Sequence, residues 1–282
     1  MMKVFNTIDP MRQWSGSAQL DQKTIALVPT MGYLHEGHIS LIREARKAAD
    51  KVVVSIFVNP AQFAAGEDLD TYPADLQGDL NICRNEMVDV VFNPDKKEMY
   101  SKNFQTYVEN LEINHILCGI SRPTHFRGVT TIVSKLFNII DPDVAVFGQK
   151  DAQQAVIIKN MVRDLNFKTR ILIQPIIRES DGLAMSSRNK YLSESQRASA
   201  LVLNQSIRYA EEQFYSGNKD TGKIKQEIIQ KINQQSECRV DYVEFVNAET
   251  LHSALKKGDK VLLALAVFVG TTRLIDNTIL IY

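Results

Sequence analysis

The sequence predicts an α/β protein in two parts: a parallel sheet covered by helices over residues 1–177, then a smaller α+β domain over residues 178–282. Three observations carry this. Short runs of β-branched and other apolar residues alternate with helical apolar spacing through the first part. After Ile177 the order changes to helices followed by strands. A chain of 282 residues is long for one domain and comfortable for two.

Thr24–Val28 is an apolar run stopped by Pro29 and reads as the first strand. Ile39–Asp50 reads as a helix, with Ile39, Ile42 and Ala49 on one face and Arg43, Arg46, Lys47 and Asp50 on the other. Lys51–Val58 is a second buried strand, and strand, helix and strand form a βαβ unit whose crossover is right-handed. Val88–Phe92 and Val144–Phe147 continue the sheet, with helical spacing over Thr130–Ile140 between them. Asp151–Leu165 is a further helix and Thr169–Ile177 a further strand. The boundary falls near Ile177–Asp181. Beyond it, Ser193 and Gln196 have capping-box spacing ahead of Leu203, Ile207, Ala210 and Phe214, and this helix stops near Gly217. A second helix carries Ile224, Ile228 and Ile232, and strands follow at Val240–Val246, Lys260–Val269 and Leu274–Ile281.

Composition narrows the function. Lys plus Arg and Asp plus Glu both total 33, so the basic excess of a typical nucleic-acid binder is missing. Cys83, Cys118 and Cys238 are scattered and odd in number, which fits a reducing cytosol better than a disulfide framework or structural zinc. Met1–Trp14 has no apolar core of a secretory signal. The longest apolar run, Val261–Val269, is about half the ~18–20 residues of a membrane span. A cytoplasmic protein with small-molecule partners is expected, with neither nucleic acid nor membrane among them.

Four segments could carry chemistry. Pro29–His38 (PTMGYLHEGH) joins the first strand to the first helix, where open α/β sheets bind ligands and a helix N-terminus favours anions. Gly32 permits a tight turn there, and Gly37 a close approach of ligand to backbone. His35 and His38 lie three apart and can face one side of a helical turn, donating to phosphate oxygens. The alternatives are a metal pair, which zinc-type spacing of four disfavours, or two helix-capping side chains. The second segment, Asn59–Phe63 (NPAQF), puts the Gln62 amide at the same edge, or leaves it as a solvated turn residue. The third, Phe147–Gln154, offers Lys150 for a phosphate, Asp151 for a cap or a ribose, and Gln154 one turn on; the other reading is a capped helix with a surface lysine. The fourth, Met185–Asn189 (MSSRN), has two hydroxyls and an arginine fork suited to a phosphate clamp, or is a polar linker. Asp70 and Asp79 are candidate Mg²⁺ ligands. No P-loop and no G-x-G-x-x-G fingerprint is present.

Taken in order, PTMGYLHEGH, FVNPAQF, VFGQKDAQQ and DGLAMSSRN resemble the pantothenate synthetase family, as do THFRGV and VGTTRLIDN. The likeness runs from about Lys23 to Asp276. A lone H-x-x-H would point only to the wider nucleotidyltransferase superfamily. The resemblance implies a Rossmann-like N-terminal domain, a C-terminal lid and a homodimer. It implies AMP-forming condensation of pantoate with β-alanine through a pantoyl adenylate, with ATP as substrate and Mg²⁺ as cofactor. Carried onto matching positions, it implies that Met31, Gly32, Tyr33, Leu34, His35, Glu36, Gly37 and His38 bind ATP, with His38 the general acid and His35 beside it. Gly148, Gln149, Lys150 and Asp151 would also bind ATP, with Lys150 on its phosphates, and Ile177 would touch the adenine through its backbone. Met185, Ser186, Ser187 and Arg188 would clamp the triphosphate. His38, His35, Lys150 and Arg188 are the expected catalytic set; Gln62, Gln154 and Asn59 the expected substrate contacts; Asp79 the expected Mg²⁺ ligand. Gly78 departs from the pattern, standing where some members carry the first of two consecutive acids, with Asp79 at the second.

Overall fold

A computed structural model describes residues 1–64 and 66–282. The chain divides into two compact units, Met1–Gly148 with Ile157–Pro175, and Gln149–Val156 with Ile176–Tyr282.

The first unit is a six-stranded parallel sheet with helices. Its strands are β1 (Lys3–Phe5), β2 (Ile25–Thr30), β3 (Lys51–Ile56), β4 (Val90–Phe92), β5 (Val144–Gly148) and β6 (Arg170–Gln174), ordered β1-β4-β3-β2-β5-β6. Its helices are α1 (Ile8–Leu20), α2 (Glu36–Ala48), α3 (Leu76–Asn85), the short α4 (Lys96–Met99) and α5 (Cys118–Ser121), and α6 (His125–Ile140); α7 (Ala152–Asp164) joins β5 to β6. Central strands of a parallel sheet are covered on both faces and so read as unbroken apolar runs. Ile25, Ala26, Leu27 and Val28 in β2 and Val52, Val53 and Val54 in β3 are wholly buried. The chain builds outward from β2 to β3 and β4, then returns to place β5 on the other side of β2. That reversal is the switch point at which such sheets form a crevice beyond their carboxyl ends.

Each expected strand is present: β3, β4 and β6 fall one to three residues short of expectation, while β2 runs through Pro29 to Thr30, and β5 and the later strands Cys238–Asn247 and Thr272–Ile281 also extend past their expected ends. Helix α3, the short α4 and α5, strand β1 and helix α1 went unread. The edge strand β1 has three mostly exposed residues and pairs only with β4, too short for a periodic signal. Helix α1 buries Met11, Ser15 and Ala18, a stripe with one large apolar member. Helix α2 starts at Glu36, three residues before the expected Ile39, because its cap is a histidine rather than a usual capping residue.

In the second unit, β7 (Cys238–Asn247), β8 (Lys260–Val269) and β9 (Thr272–Ile281) form an antiparallel sheet in that order. The helices α8 (Glu194–Ala200), α9 (Val202–Tyr215) and α10 (Thr221–Asn233) accompany it. The Ser193/Gln196 capping box is made. The helix expected after it is broken at Leu201 into α8 and α9. Leu203, Ile207, Ala210 and Phe214 join Ile224, Ile228 and Ile232 in one core with the buried face of β8.

Candidate active site

The first unit carries two site segments on neighbouring parallel strands: Met31–His38 leaves β2 and Asn59–Gln62 leaves β3, so both occupy the sheet's carboxyl edge. The turn after β2 is held in an uncommon shape. Gly32 and Tyr33 are successive left-handed residues, with φ of 85° and 53°. A Cβ on Gly32 would lie 2.9 Å from Asp79 Oδ2 and 3.1 Å from Ile56 Cγ2, so glycine is required for closeness as well as for φ. Thr30 Oγ1 accepts the Gly32 N–H at 3.2 Å and donates to Ser55 O at 2.8 Å.

Asp79, the expected Mg²⁺ ligand, lies beneath this turn. Its carboxylate, in the first turn of α3 and 3% exposed, accepts the Tyr33 N–H at 2.9 Å on Oδ2 and the Leu34 N–H at 2.7 Å on Oδ1. Burial pushes its pKa above the usual carboxylate range against the opposing pull of these two donors, and the nearby Asp75 adds to the rise. A buried carboxylate with an N–H on each oxygen braces the turn. Asp70 is exposed. No group of three or more His, Cys, Asp or Glu side chains suited to a metal occurs among the described residues.

The histidine pair caps α2. His35 Nδ1 accepts the Gly37 N–H at 3.1 Å, and His38 Nδ1 accepts the His35 N–H at 3.4 Å, a reciprocal capping box made of two imidazoles. The rings sit 4.2 Å apart between centroids. Capping and phosphate donation, set against each other from sequence, are compatible here. A ring nitrogen that accepts from a backbone N–H carries no proton, so a neutral imidazole carries its proton on Nε2. Capping thus fixes the tautomer that makes both Nε2 atoms donors. Glu36 pairs with Arg43 at 2.6 Å, on the helix flank.

Gln62 is oriented by a chain of polar contacts whose direction is fixed by backbone groups. Asn59 Nδ2 faces Gly128 O at 3.0 Å, and Asn59 Oδ1 faces the Ala61 N–H at 3.4 Å. A carbonyl only accepts and an amide N–H only donates, which sets the Asn59 amide unambiguously. Its second N–H then goes to Gln62 Oε1 at 2.8 Å, and Oδ1 also accepts the Tyr100 hydroxyl at 2.8 Å. With Oε1 occupied, Gln62 presents its NH₂ and selects an acceptor atom in any ligand. The Gln62 backbone carbonyl is gripped by Arg122 Nη2 at 3.1 Å and lies 3.0 Å from His125 Nδ1, while Arg122 forks onto Glu67. Gly128 permits this approach: a Cβ there would stand 2.2 Å from Ala61 O and 2.7 Å from Gln62 N. Asn59, expected as a substrate contact, is 1% exposed with both amide atoms committed inside the protein. It positions Gln62. Tyr100 was missed by sequence reasoning, and His125 and Gly128 entered it only within the THFRGV segment.

The second unit holds the other expected residues. Gln149–Asp151 forms a 3₁₀ turn, with Lys150 Nζ 3.8 Å from Asp151 Oδ1. Gln154 is half-buried one turn later. Ile177 O accepts the Met185 N–H at 2.9 Å, closing a short return between Arg178 and Ala184. Ser186 then caps the 3₁₀ helix Ser187–Tyr191 by accepting the Arg188 N–H at 3.3 Å. Asn189 Nδ2 ties this segment back to Glu179 Oε1 at 2.6 Å and Ala184 O at 3.0 Å. Met185–Arg188 is therefore an ordered segment with its own cap rather than a polar linker. His115 and His252 join neither constellation; both are exposed.

A parallel sheet with a switch point, and at its carboxyl edge a histidine-capped helix N-terminus beside an oriented amide, defines an α/β enzyme of the anion-binding, nucleotide-handling type. Comparison with known proteins narrows the class. The chain belongs to the pantoate-beta-alanine ligase family, whose model matches residues 3–279. It is 52% identical over 279 residues to the pantothenate synthetase of Thermotoga petrophila, covering 99% of this chain and 100% of that protein. The crystal structure of pantothenate synthetase from Thermus thermophilus superposes with a TM-score of 0.90 at 38% identity, covering 98% of this chain and 99% of that one. The Francisella tularensis pantoate-beta-alanine ligase, complexed with beta-gamma ATP and beta-alanine, superposes with a TM-score of 0.83 at 36% identity, covering 99% and 98%.

Proposed function

We propose that the protein condenses pantoate with β-alanine at the expense of ATP, giving pantothenate, AMP and pyrophosphate through a pantoyl adenylate. The observation that carries this reading is the His35–His38 pair, whose capping geometry makes two Nε2–H donors at a helix N-terminus. Family membership supplies the substrates.

In the first half-reaction a pantoate carboxylate oxygen attacks the α-phosphorus of ATP in line. The bond to the bridging oxygen breaks and pyrophosphate leaves. Charge develops on the phosphoryl oxygens, and fixed donors stabilise it without reorganisation. In this reading the Nε2–H groups of His35 and His38 supply such donors, with His38 the general acid. Lys150 and Arg188 add positive charge on the phosphates, and Met31–Leu34, Gly148–Asp151, Ile177 and Met185–Ser187 complete the ATP contacts. Gln62 donates through Nε2 to pantoate, and Gln154 is a second contact. In the second half-reaction the β-alanine amine attacks the acyl carbon, AMP departs with the carboxylate oxygen, and the amine loses a proton. No nucleophilic side chain is needed, because the acyl phosphate is already reactive. Mg²⁺ would travel with the phosphates, as it does in sites that use few carboxylates; no protein ligand is assigned to it and no step depends on one. Residues 1–177 and 178–282 would act as the substrate-binding domain and its lid, excluding water from the adenylate. A cytoplasmic homodimer completes the reading, supported by the scattered, odd-numbered cysteines for location and by the resemblance for assembly.

The test is product analysis with ATP, pantoate and β-alanine. AMP and pantothenate should appear together. A nucleotidyltransferase that stops after one transfer would release pyrophosphate without AMP, and a nucleotide-binding module would show no pantoate-dependent turnover.

A further inference from the structure

Within the second unit, strand β9 buries two adjacent polar side chains, Asp276 at 2% exposure and Asn277 at 4%. Neighbours on a strand point to opposite faces, so both faces are covered at this point. Burying an amide and a carboxylate is costly unless their hydrogen bonds are made, and here they are.

Asn277 Nδ2 donates to two consecutive backbone carbonyls, Gln149 O and Lys150 O, each at 2.9 Å. Both partners are pure acceptors, so the orientation of the amide is forced. Asn277 Oδ1 in return accepts Gln149 Nε2 at 3.3 Å. The geometry of this contact matters more than its strength. The Gln149 carbonyl belongs to the peptide plane before the Lys150 Cα, and the Lys150 carbonyl to the plane after it. Peptide planes are rigid, so pinning both fixes φ and ψ of Lys150 and with them the direction of its Cα–Cβ bond. Asp276 acts on a different segment: Arg178 forks onto its carboxylate at 2.7 and 3.0 Å, and the same guanidinium donates to Gly182 O at 3.1 Å. The Asn277 N–H also donates to Asp276 Oδ1, at 2.8 Å.

We infer that Asn277 is a positioning residue for Lys150, acting through the backbone on both sides of it from 127 positions away in sequence. The inference rests on the proposed role of Lys150 at the ATP phosphates. It gives the VGTTRLIDN segment a function: aiming the lysine before substrate arrives, so that no ordering cost falls on ATP binding.

A merely structural role predicts lost stability with all substrates affected alike. A positioning role predicts a selective, non-additive defect. In Asn277→Ala the KM for ATP should rise about tenfold while the KM for pantoate stays within about twofold. In a cycle with Lys150→Ala, the double variant should be no worse than Lys150→Ala alone, because residues acting through one group do not add. Additive losses, or equal rises in all KM values, would overturn the inference. Gln149→Met removes the donor to Asn277 Oδ1 and serves if Asn277→Ala fails to fold: its ATP KM should rise about threefold and that rise should vanish in the Lys150→Ala background, whereas an unchanged KM, or a rise that persists there as a direct Gln149 contact with ATP would give, overturns the inference. If the unaltered protein forms no AMP, the ligase reading fails separately. The same cycle is then read from ATP dissociation constants by calorimetry, with the same two outcomes.

Discussion

Asp79→Asn separates a brace from a metal ligand. The carboxylate receives one backbone N–H on each oxygen, at 2.9 and 2.7 Å, in a position 3% exposed. Asparagine keeps one acceptor and turns an NH₂ toward the other N–H. A charge-assisted hydrogen bond contributes about 1.5–3 kcal/mol, and a buried N–H left without a partner costs about 1–3 kcal/mol. Removing a desolvated charge offsets part of this, since burial raises the Asp79 pKa. The net expectation is a loss of about 2 kcal/mol, or roughly 4–8 °C in the unfolding midpoint of a unit this size. Thermal unfolding with nucleotide absent and EDTA present measures it, because a brace acts without metal. AMP formation should also fall about tenfold or more, as the left-handed Gly32–Tyr33 turn loses its anchor. A midpoint unchanged in EDTA, together with a raised Mg²⁺ requirement, would refute the brace and restore Asp79 as a metal ligand.

Other perturbations follow from the same contacts. Gln62→Glu keeps the acceptor that Asn59 uses but turns a carboxylate oxygen toward the ligand; the KM for pantoate should rise at least about tenfold with the KM for ATP little changed. Gly128→Ala drives a Cβ into the Ala61–Gln62 backbone, 2.2 Å from Ala61 O, and should cost about 1–3 kcal/mol in denaturant unfolding and weaken pantoate binding. His38→Ala should lower the adenylation rate about a hundredfold or more in single-turnover assays, the size of a lost transition-state donor. For Asp89, burial raises the pKa, but the Arg46 guanidinium at 2.5 Å, the Val52 N–H and Lys51 outweigh it, so the net shift is downward from 3.8. Its contribution to stability is therefore full above that ordinary value and lost as pH falls through the lower, folded one. Asp89→Asn should flatten that part of the acid-unfolding curve.

Most of the fold was legible because buried parallel strands and amphipathic helices write their periods into the sequence. Val52–Val54 and the Ile224, Ile228, Ile232 series are wholly buried, as their patterns require. Strand β1 and helix α1 were not legible because neither presents a long apolar stripe. The His35–His38 segment was found by position and residue type, but its reciprocal cap depends on ring orientations that spacing does not encode. Asn59 and Asp79 were expected to contact ligands because polar residues beside a crevice invite that reading, and one dimension does not show what else their atoms hold. Only three-dimensional accounting shows their atoms committed to the Ala61, Tyr33 and Leu34 N–H groups and to Gly128 O. Tyr100 and Asn277 act at separations of 41 and 127 residues, beyond any local signal.

Acyl activation on the α-phosphorus is tested most directly with pantoate labelled with heavy oxygen in its carboxylate. Turnover with ATP and β-alanine should place one labelled oxygen in the phosphate of AMP, since the attacking oxygen leaves with it. Label appearing in inorganic phosphate or pyrophosphate, or AMP formed without label, would contradict the account.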